Sequence, residues 1–277
     1  MTGASGTGPY AGCAGLRVTP GDDAVLRIVI DRPDKRNALD DAMVMALIDA
    51  VDAAERDDGV RAILLSGEGE HFCGGFDIVG RNAGGGGARP RAGSIQRRLP
   101  SHAHRLVPLF VSVQVPIVCA VRGWAAGIGL HLVLASDFAI TAEDARFWEP
   151  FTERGFTPDS GGTWLLPRRV GEVRARDMLL LGRAVGGTEA AEWGLVHRAV
   201  PGGDVMREAE AVAATLASGP TVAIGLTKWL LHRGSGLPLE AHVRDEAFGV
   251  ELSSRSEDFR EGMSAFREKR PPRFTGR

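Results

Sequence analysis

The sequence has almost no net charge, no cysteine pattern suited to disulfides, no long apolar run and no repeat, and each absence removes a class of function. Lysine and arginine number 33 against 35 acidic residues, a formal charge of −2. There is thus no global basic field to attract nucleic acid or an anionic membrane, although a local basic patch can still hold an anionic ligand. Cys13, Cys73 and Cys119 are an odd number, lie far apart and form no CxxC pair, which points to free thiols and to no metal site. No uninterrupted apolar run reaches membrane-spanning length, and the opening MTGASGTGPYAGCAG lacks the basic region and apolar core of a signal peptide. The expectation is a cytoplasmic protein without membrane insertion. No fixed period recurs, which argues against a solenoid or propeller.

What is present is an ordinary globular mixture, 44% apolar and 25% charged over 277 residues, enough chain to bury a sizeable core in one large or two small domains. Residues 1–15, rich in Gly, Ala and Thr, read as a disordered tail. Val25 to Asp31 (VLRIVID) reads as a strand ending at Arg32-Pro33. From Asp40 the period changes: Val44, Leu47, Ile48, Val51 and Ala54 share one helical face, with acidic residues near its start. Strand character returns at Ala62 to Ser66, Val115 to Val121 and Asp137 to Thr141. Beyond about Val200 only helices are expected: Asp204 to Ser218, Pro220 to His232, Pro238 to Ser253 and Ser256 to Arg267. Residues 16–200 thus form an α/β core and 201–277 a helical region, with a Gly-rich mobile loop expected within Gly84 to Ser101.

Glycine concentrates directly after two apolar strands, in GEGEHFCGG (Gly67 to Gly75) and GWAAGIG (Gly123 to Gly129). Either these are tight turns of an α/β sheet, or their amides converge on one ligand oxygen, since glycine permits close backbone approach and amides at a helix start carry partial positive charge.

Five blocks in order, RPDKRNALD, HFCGGFDI, GWAAGIGLHLVLASDFAI, FTPDSGGTWLLPRRVG and EDFREGMSAFREKRPPRF, resemble the crotonase (enoyl-CoA hydratase/isomerase) family across nearly the whole chain after the tail. The resemblance implies a spiral of ββα units with a helical C-terminal region that drives assembly into a homotrimer or a dimer of trimers. It implies an acyl-CoA thioester as substrate, in fatty-acid or related acyl catabolism, with no separate cofactor because coenzyme A is part of the substrate. The amides of Gly74 and Ile128 would form an oxyanion hole; Ile128 stands where the family often has glycine, and a β-branched residue there argues for negative φ. Lys35, Arg36, Ala38, Asp77 and Ile78 would line the coenzyme A cleft, and Phe266 and Lys269 would reach a neighbouring subunit's ligand.

The resemblance has a departure. Family hydratases use two glutamates as base and acid, and at those positions this chain has His131 and Phe151. Glu149 shares strand parity with Phe151 and is a candidate for the same pocket, or else an ion-paired or solvent-facing glutamate. Asp159, in PDSGG, matches a working aspartate of epoxyphenylacetyl-CoA and enoyl-CoA isomerase members, and is equally suited to cap a helix. One carboxylate suffices to move a double bond, by removing a proton and returning it to another carbon. The expected activity is therefore enoyl-CoA isomerisation through Asp159, with His131 as a second titrating group. The alternatives are a non-catalytic acyl-CoA binder, and a hydrolase or dehalogenase in which Asp159 attacks and His104 activates water, as 4-chlorobenzoyl-CoA dehalogenase resembles this chain at both positions.

Overall fold

The computed structural model describes residues 10–78 and 93–277. Six strands form the main sheet: β1 (Leu16–Pro20), β2 (Val25–Ile30), β3 (Ala62–Gly67), β4 (Ile117–Val121), β6 (Phe138–Ala142) and β9 (Arg198–Val200), in the order β1-β2-β3-β4-β6-β9. β1 runs antiparallel to β2 and every later pairing is parallel. A parallel sheet is covered on both faces, so its strands carry continuous apolar runs. AILLS and IVCAV are such runs, and all five residues of β4 are buried. A second sheet joins three short strands, β5 (Trp124–Ala126), β7 (Arg146–Trp148) and β8 (Val185–Gly186), in the order β5-β7-β8.

Helix α1 (Asp41–Ala54) buries Val44, Leu47, Ile48, Val51 and Ala54, the face its period predicts, and Asp40 caps it by accepting the Met43 N–H at 2.9 Å. α2 (Ser94–Arg98) and α3 (Ala103–Ser112) precede β4, and α4 (Ile128–Ala135) follows β5 with all eight residues buried. α5 (Gly162–Leu181) bends at Gly171 and leads through α6 (Gly187–Glu192) into the helical region. That region comprises α7 (Val205–Ala217), α8 (Thr221–Gly234), α9 (Leu239–Ser253) and α10 (Glu257–Glu268). α8 is pinned to the sheet by buried Lys228, which donates to Asp137 at 2.7 Å and to the Val115 carbonyl at 3.2 Å. Burial alone raises the Asp137 carboxyl, and donors from His232, Lys228 and the Ile117 amide more than reverse it, holding the group below its ordinary value.

The disorder expected for residues 1–15 does not hold for residues 10–15. Tyr10 donates to Asp57 at 2.7 Å and Cys13 exchanges backbone hydrogen bonds with Leu16, so residues 10–15 pack on the fold, while 1–9 lie outside the described residues. Residues 84–92 of the expected Gly84–Ser101 loop also fall outside them; its described end is helical. No single helix among the described residues is long and apolar enough to cross a membrane. Full burial pushes the Cys73 and Cys119 thiols up to about 12, so neither offers a thiolate near neutral pH.

Candidate active site

β3 and β4 are parallel neighbours, so the glycine turns leaving them emerge on the same edge of the sheet. The turns are also joined directly: the Cys73 N–H donates to the Trp124 carbonyl and the Ala126 N–H to the Cys73 carbonyl, both at 2.9 Å. Gly129 is required by this contact, because a methyl there would fall 2.5 Å from the Cys73 carbonyl oxygen.

The second turn ends at Gly127, whose φ of 51° and ψ of −122° start α4 without a side-chain cap. Ile128 is the first helical residue and has negative φ, and its N–H meets no acceptor among the described residues. An amide in this position is an orphan donor at the positive end of the helix dipole.

The first turn corrects an expectation. The Gly74 N–H donates to the Arg36 carbonyl at 2.7 Å and is therefore turned away from the second turn. Two residues on, Leu39 and Phe76 form a parallel bridge, in which Leu39 donates to the Gly75 carbonyl and Asp77 donates to the Leu39 carbonyl. The bridged residue turns its own N–H to the opposite side, which puts the Phe76 amide, not that of Gly74, on the side facing β5 and Gly127.

The same bridge brings Lys35, Arg36 and Ala38 alongside Asp77 and Ile78. Lys35 and Arg36 are exposed, whereas Asp77 is mostly buried and accepts from Arg32 at 3.0 Å. Arg36 and Asn37 both take left-handed backbone, at φ 51° and 57°. Fully buried Asn37 holds the two segments together: its Oδ1 accepts the Arg32 N–H at 2.9 Å, and its Nδ2 donates to the carbonyls of Glu68 and His71. Asn37→Ala strands those three groups and places alanine where asparagine is better tolerated. Chemical denaturation should show a loss of about 2 kcal/mol. Phe266 and Lys269 lie far along the chain on and just after α10, exposed, with no hydrogen bond or ion pair to these segments among the described residues.

His131 and Glu149 are brought together as a fully buried pair, His131 Nε2 lying 3.0 and 3.2 Å from the two carboxylate oxygens. The His131 ring stacks on Phe151 with centroids 5.9 Å apart, and Phe156 makes an edge-on contact with Phe151 at 5.3 Å. Phe151 also approaches Gly127, so its ring stands between the pair and the second turn. This corrects two expectations: His131 is committed to Glu149 rather than presented to a ligand, and Glu149 does not line an open pocket. β7 ends at Trp148, so strand parity no longer governs the residues after it. Gly162 seals the far side, since a methyl there would collide with His131 Nε2.

Asp159 is not a helix cap. The residue before α5 is Gly161, and no side chain caps it. The Asp159 carboxylate is half-buried, with Oδ1 accepting from the Ser160 hydroxyl at 3.0 Å and Oδ2 without a partner among the described residues. Adjacent to it, an open cavity of about 400 Å³ lies between α3 and the start of α5, lined by His104, Val107, Pro108, Val111, Ser160, Gly161, Trp164 and Leu165. His104, exposed and with no hydrogen bond or ion pair among the described residues, shares this cavity with the neighbour of Asp159. The cavity and the left-handed backbone of Ser160 were not legible in the sequence, because both depend on how α3 meets the turn before α5.

A chain with two joined glycine turns, one helix-start amide and one carboxylate beside an apolar cavity can hold an anionic oxygen while moving a proton. The family model for enoyl-CoA hydratase/isomerase matches residues 21–277. The chain is 37% identical over 257 residues to 1,2-epoxyphenylacetyl-CoA isomerase of Escherichia coli, covering 92% of this chain and 97% of that one. It is 42% identical over 250 residues to a protein named probable enoyl-CoA hydratase of Rhodobacter capsulatus, covering 90% and 94%. The crystal structure of enoyl-CoA hydratase from Bacillus anthracis superposes with a TM-score of 0.88 at 30% identity, covering 95% of this chain and all of that one. The fold, the paired turns and these matches agree that the chain belongs to the enoyl-CoA hydratase/isomerase, or crotonase, family of acyl-CoA-processing enzymes.

Proposed function

We propose that this enzyme isomerises the double bond of an enoyl-CoA with Asp159 as its single base. The observation that carries the reading is the contrast between carboxylates. Glu149 is tied to His131 behind Phe151, whereas Asp159 stands beside the apolar cavity with Oδ2 unpartnered among the described residues. The Ile128 and Phe76 N–H groups donate to the thioester oxygen as it becomes negative. Asp159 takes a proton from the α-carbon of a 3-enoyl thioester, the electron pair spreads over a dienolate, and the same proton returns to the γ-carbon. The result is the 2-enoyl isomer, with nothing gained or lost. Water addition would need a second acid or base at the reacting carbons, and the residues at the two hydratase positions do not supply one. Coenzyme A, carried by the substrate, lies along Lys35, Arg36, Ala38, Asp77 and Ile78. The exposed apolar side chains of the helical region, among them Leu239, Phe248, Val250 and Phe266, support assembly with further copies of the chain, as a trimer or dimer of trimers.

The test is incubation with a 3-enoyl-CoA, followed by ultraviolet absorbance of the conjugated thioester and mass of the product. A conjugated product of unchanged mass is expected. A product heavier by one water would establish hydration instead, and an unchanged ligand that nevertheless binds tightly would leave only a binding protein. Release of free coenzyme A would favour a second reading, in which Asp159 attacks the thioester carbonyl, expels the coenzyme A thiolate and forms a mixed acyl anhydride that His104 hydrolyses by activating water. His104 lining the same cavity as Ser160 is what keeps that reading alive.

A further inference from the structure

We propose that Ser160 is a positioning residue that holds one oxygen of Asp159 and leaves the other for the substrate's proton; this rests on Asp159 being the base. Five non-glycine residues among those described have left-handed backbone, and Ser160, at φ 54°, is one of them. It is followed by Gly161 at φ 90° and ψ 3°. Two successive left-handed residues make the sharp turn that starts α5. Glycine takes that conformation without strain, which accounts for residue 161 and not for residue 160. A serine kept where glycine would be relaxed points to a use for its side chain.

The hydroxyl has one described partner. Ser160, itself 4% exposed, donates to Asp159 Oδ1 at 3.0 Å. The left-handed turn aims this short side chain back at the preceding residue. The backbone strain and the hydrogen bond are therefore one device: the turn carries the donor to the carboxylate, and the donor stops the carboxylate from rotating. With Oδ1 engaged, Oδ2 is the oxygen that exchanges protons. Ser160 and Gly161 also form part of the cavity wall facing His104, Val107 and Leu165, so the held carboxylate is fixed relative to the space where an acyl chain lies. Proton transfer between two carbons of one dienolate needs the base within hydrogen-bond reach of each in turn. A carboxylate free to swing would meet each less often.

The experiment compares Ser160→Ala, Ser160→Gly and Asp159→Asn on a 3-enoyl-CoA, reading kcat, KM and melting temperature. Ser160→Ala deletes the hydroxyl and keeps the strain; Ser160→Gly deletes the hydroxyl and relieves it. Both should lose kcat about tenfold with KM nearly unchanged, the signature of an interaction that matters in the transition state. Ser160→Gly should melt at or above the parent, which separates lost activity from lost structure. Parental kcat in Ser160→Gly would overturn the proposal by showing that the hydroxyl does nothing, and so would a raised KM with unchanged kcat, which would put the hydroxyl on the ligand instead. If Asp159→Asn still isomerises, the choice of base is wrong whatever the Ser160 variants do. If Asp159→Asn is inactive while both Ser160 variants match the parent, the base stands and the Ser160 proposal falls.

Discussion

Asp159→Asn should lower kcat for double-bond movement by roughly 10³-fold while leaving KM close to its parental value. The substitution is nearly isosteric. The amide oxygen can still accept from the Ser160 hydroxyl, so the local geometry survives while the ability to take up a proton is lost. Stability should hardly change, because Asp159 caps no helix; the turn into α5 rests on the left-handed Gly161, and its backbone hydrogen bonds come from Gly162, Trp164 and Leu165. The effect belongs in kcat because, in the proposed reading, the coenzyme A portion lies elsewhere, along Lys35, Arg36, Ala38, Asp77 and Ile78, and an unreacted acyl chain gains little from a carboxylate beside it. Exchange of the substrate's α-proton with deuterated solvent gives an independent check. An Asp159→Asn enzyme that retains exchange would need another base, and the candidates are His104 on the cavity wall and the His131–Glu149 pair beside Phe151. His104→Ala and His131→Leu would then separate those two. Loss of binding rather than turnover would instead place Asp159 against the ligand as a contact.

The parts of this molecule that were legible in the sequence are those governed by local period. The four closing helices fall within one or two residues of their expected ends, since amphipathic spacing and flanking prolines act over a single segment. α1 buries the five side chains its period selects. The strands β5, β7 and β8, of only two or three residues each, carry too little pattern to be recognised, and they decide the site. Pairing β5 with β7 sets α4 beside the residues that follow β7, which is how His131 meets Glu149 across 18 positions of chain. Neither residue announces that partner. The two glycine turns were recognisable from composition, and the family resemblance implies an oxyanion there, but which amide faces the second turn depends on single peptide orientations. Gly75, at φ 109°, alters the alternation between Gly74 and Phe76, and so moves the inward donor two residues on. Residue type cannot reveal this, because every residue except proline has an N–H.

That last point makes the helix-start donor open to direct test, because proline is the one residue that removes it. Ile128→Pro should reduce kcat by about 10² to 10³-fold, the range found when one oxyanion-hole donor is lost, with the fold and coenzyme A binding retained. Proline is destructive inside a helix, but Ile128 is the first residue of α4, where its N–H has no helical acceptor to lose and where the fixed φ of proline suits the helix. The residue before a proline is restricted to extended conformations. Gly127, at φ 51° and ψ −122°, occupies the mirror image of such a conformation, which an achiral residue reaches as readily as the extended form itself. The side chain lost is buried, at 4% exposure, so some stability goes with it. Ile128→Ala is therefore the necessary companion, since it truncates the same side chain and keeps the amide. If Ile128→Ala retains most of the activity and Ile128→Pro does not, at similar melting temperatures, the amide is the group that matters. Equal losses in both would assign the effect to packing around α4 and leave the thioester oxygen to other donors. A more active Ile128→Pro than Ile128→Ala would sink the oxyanion role at this position, because the only group that proline removes and alanine keeps would then be dispensable.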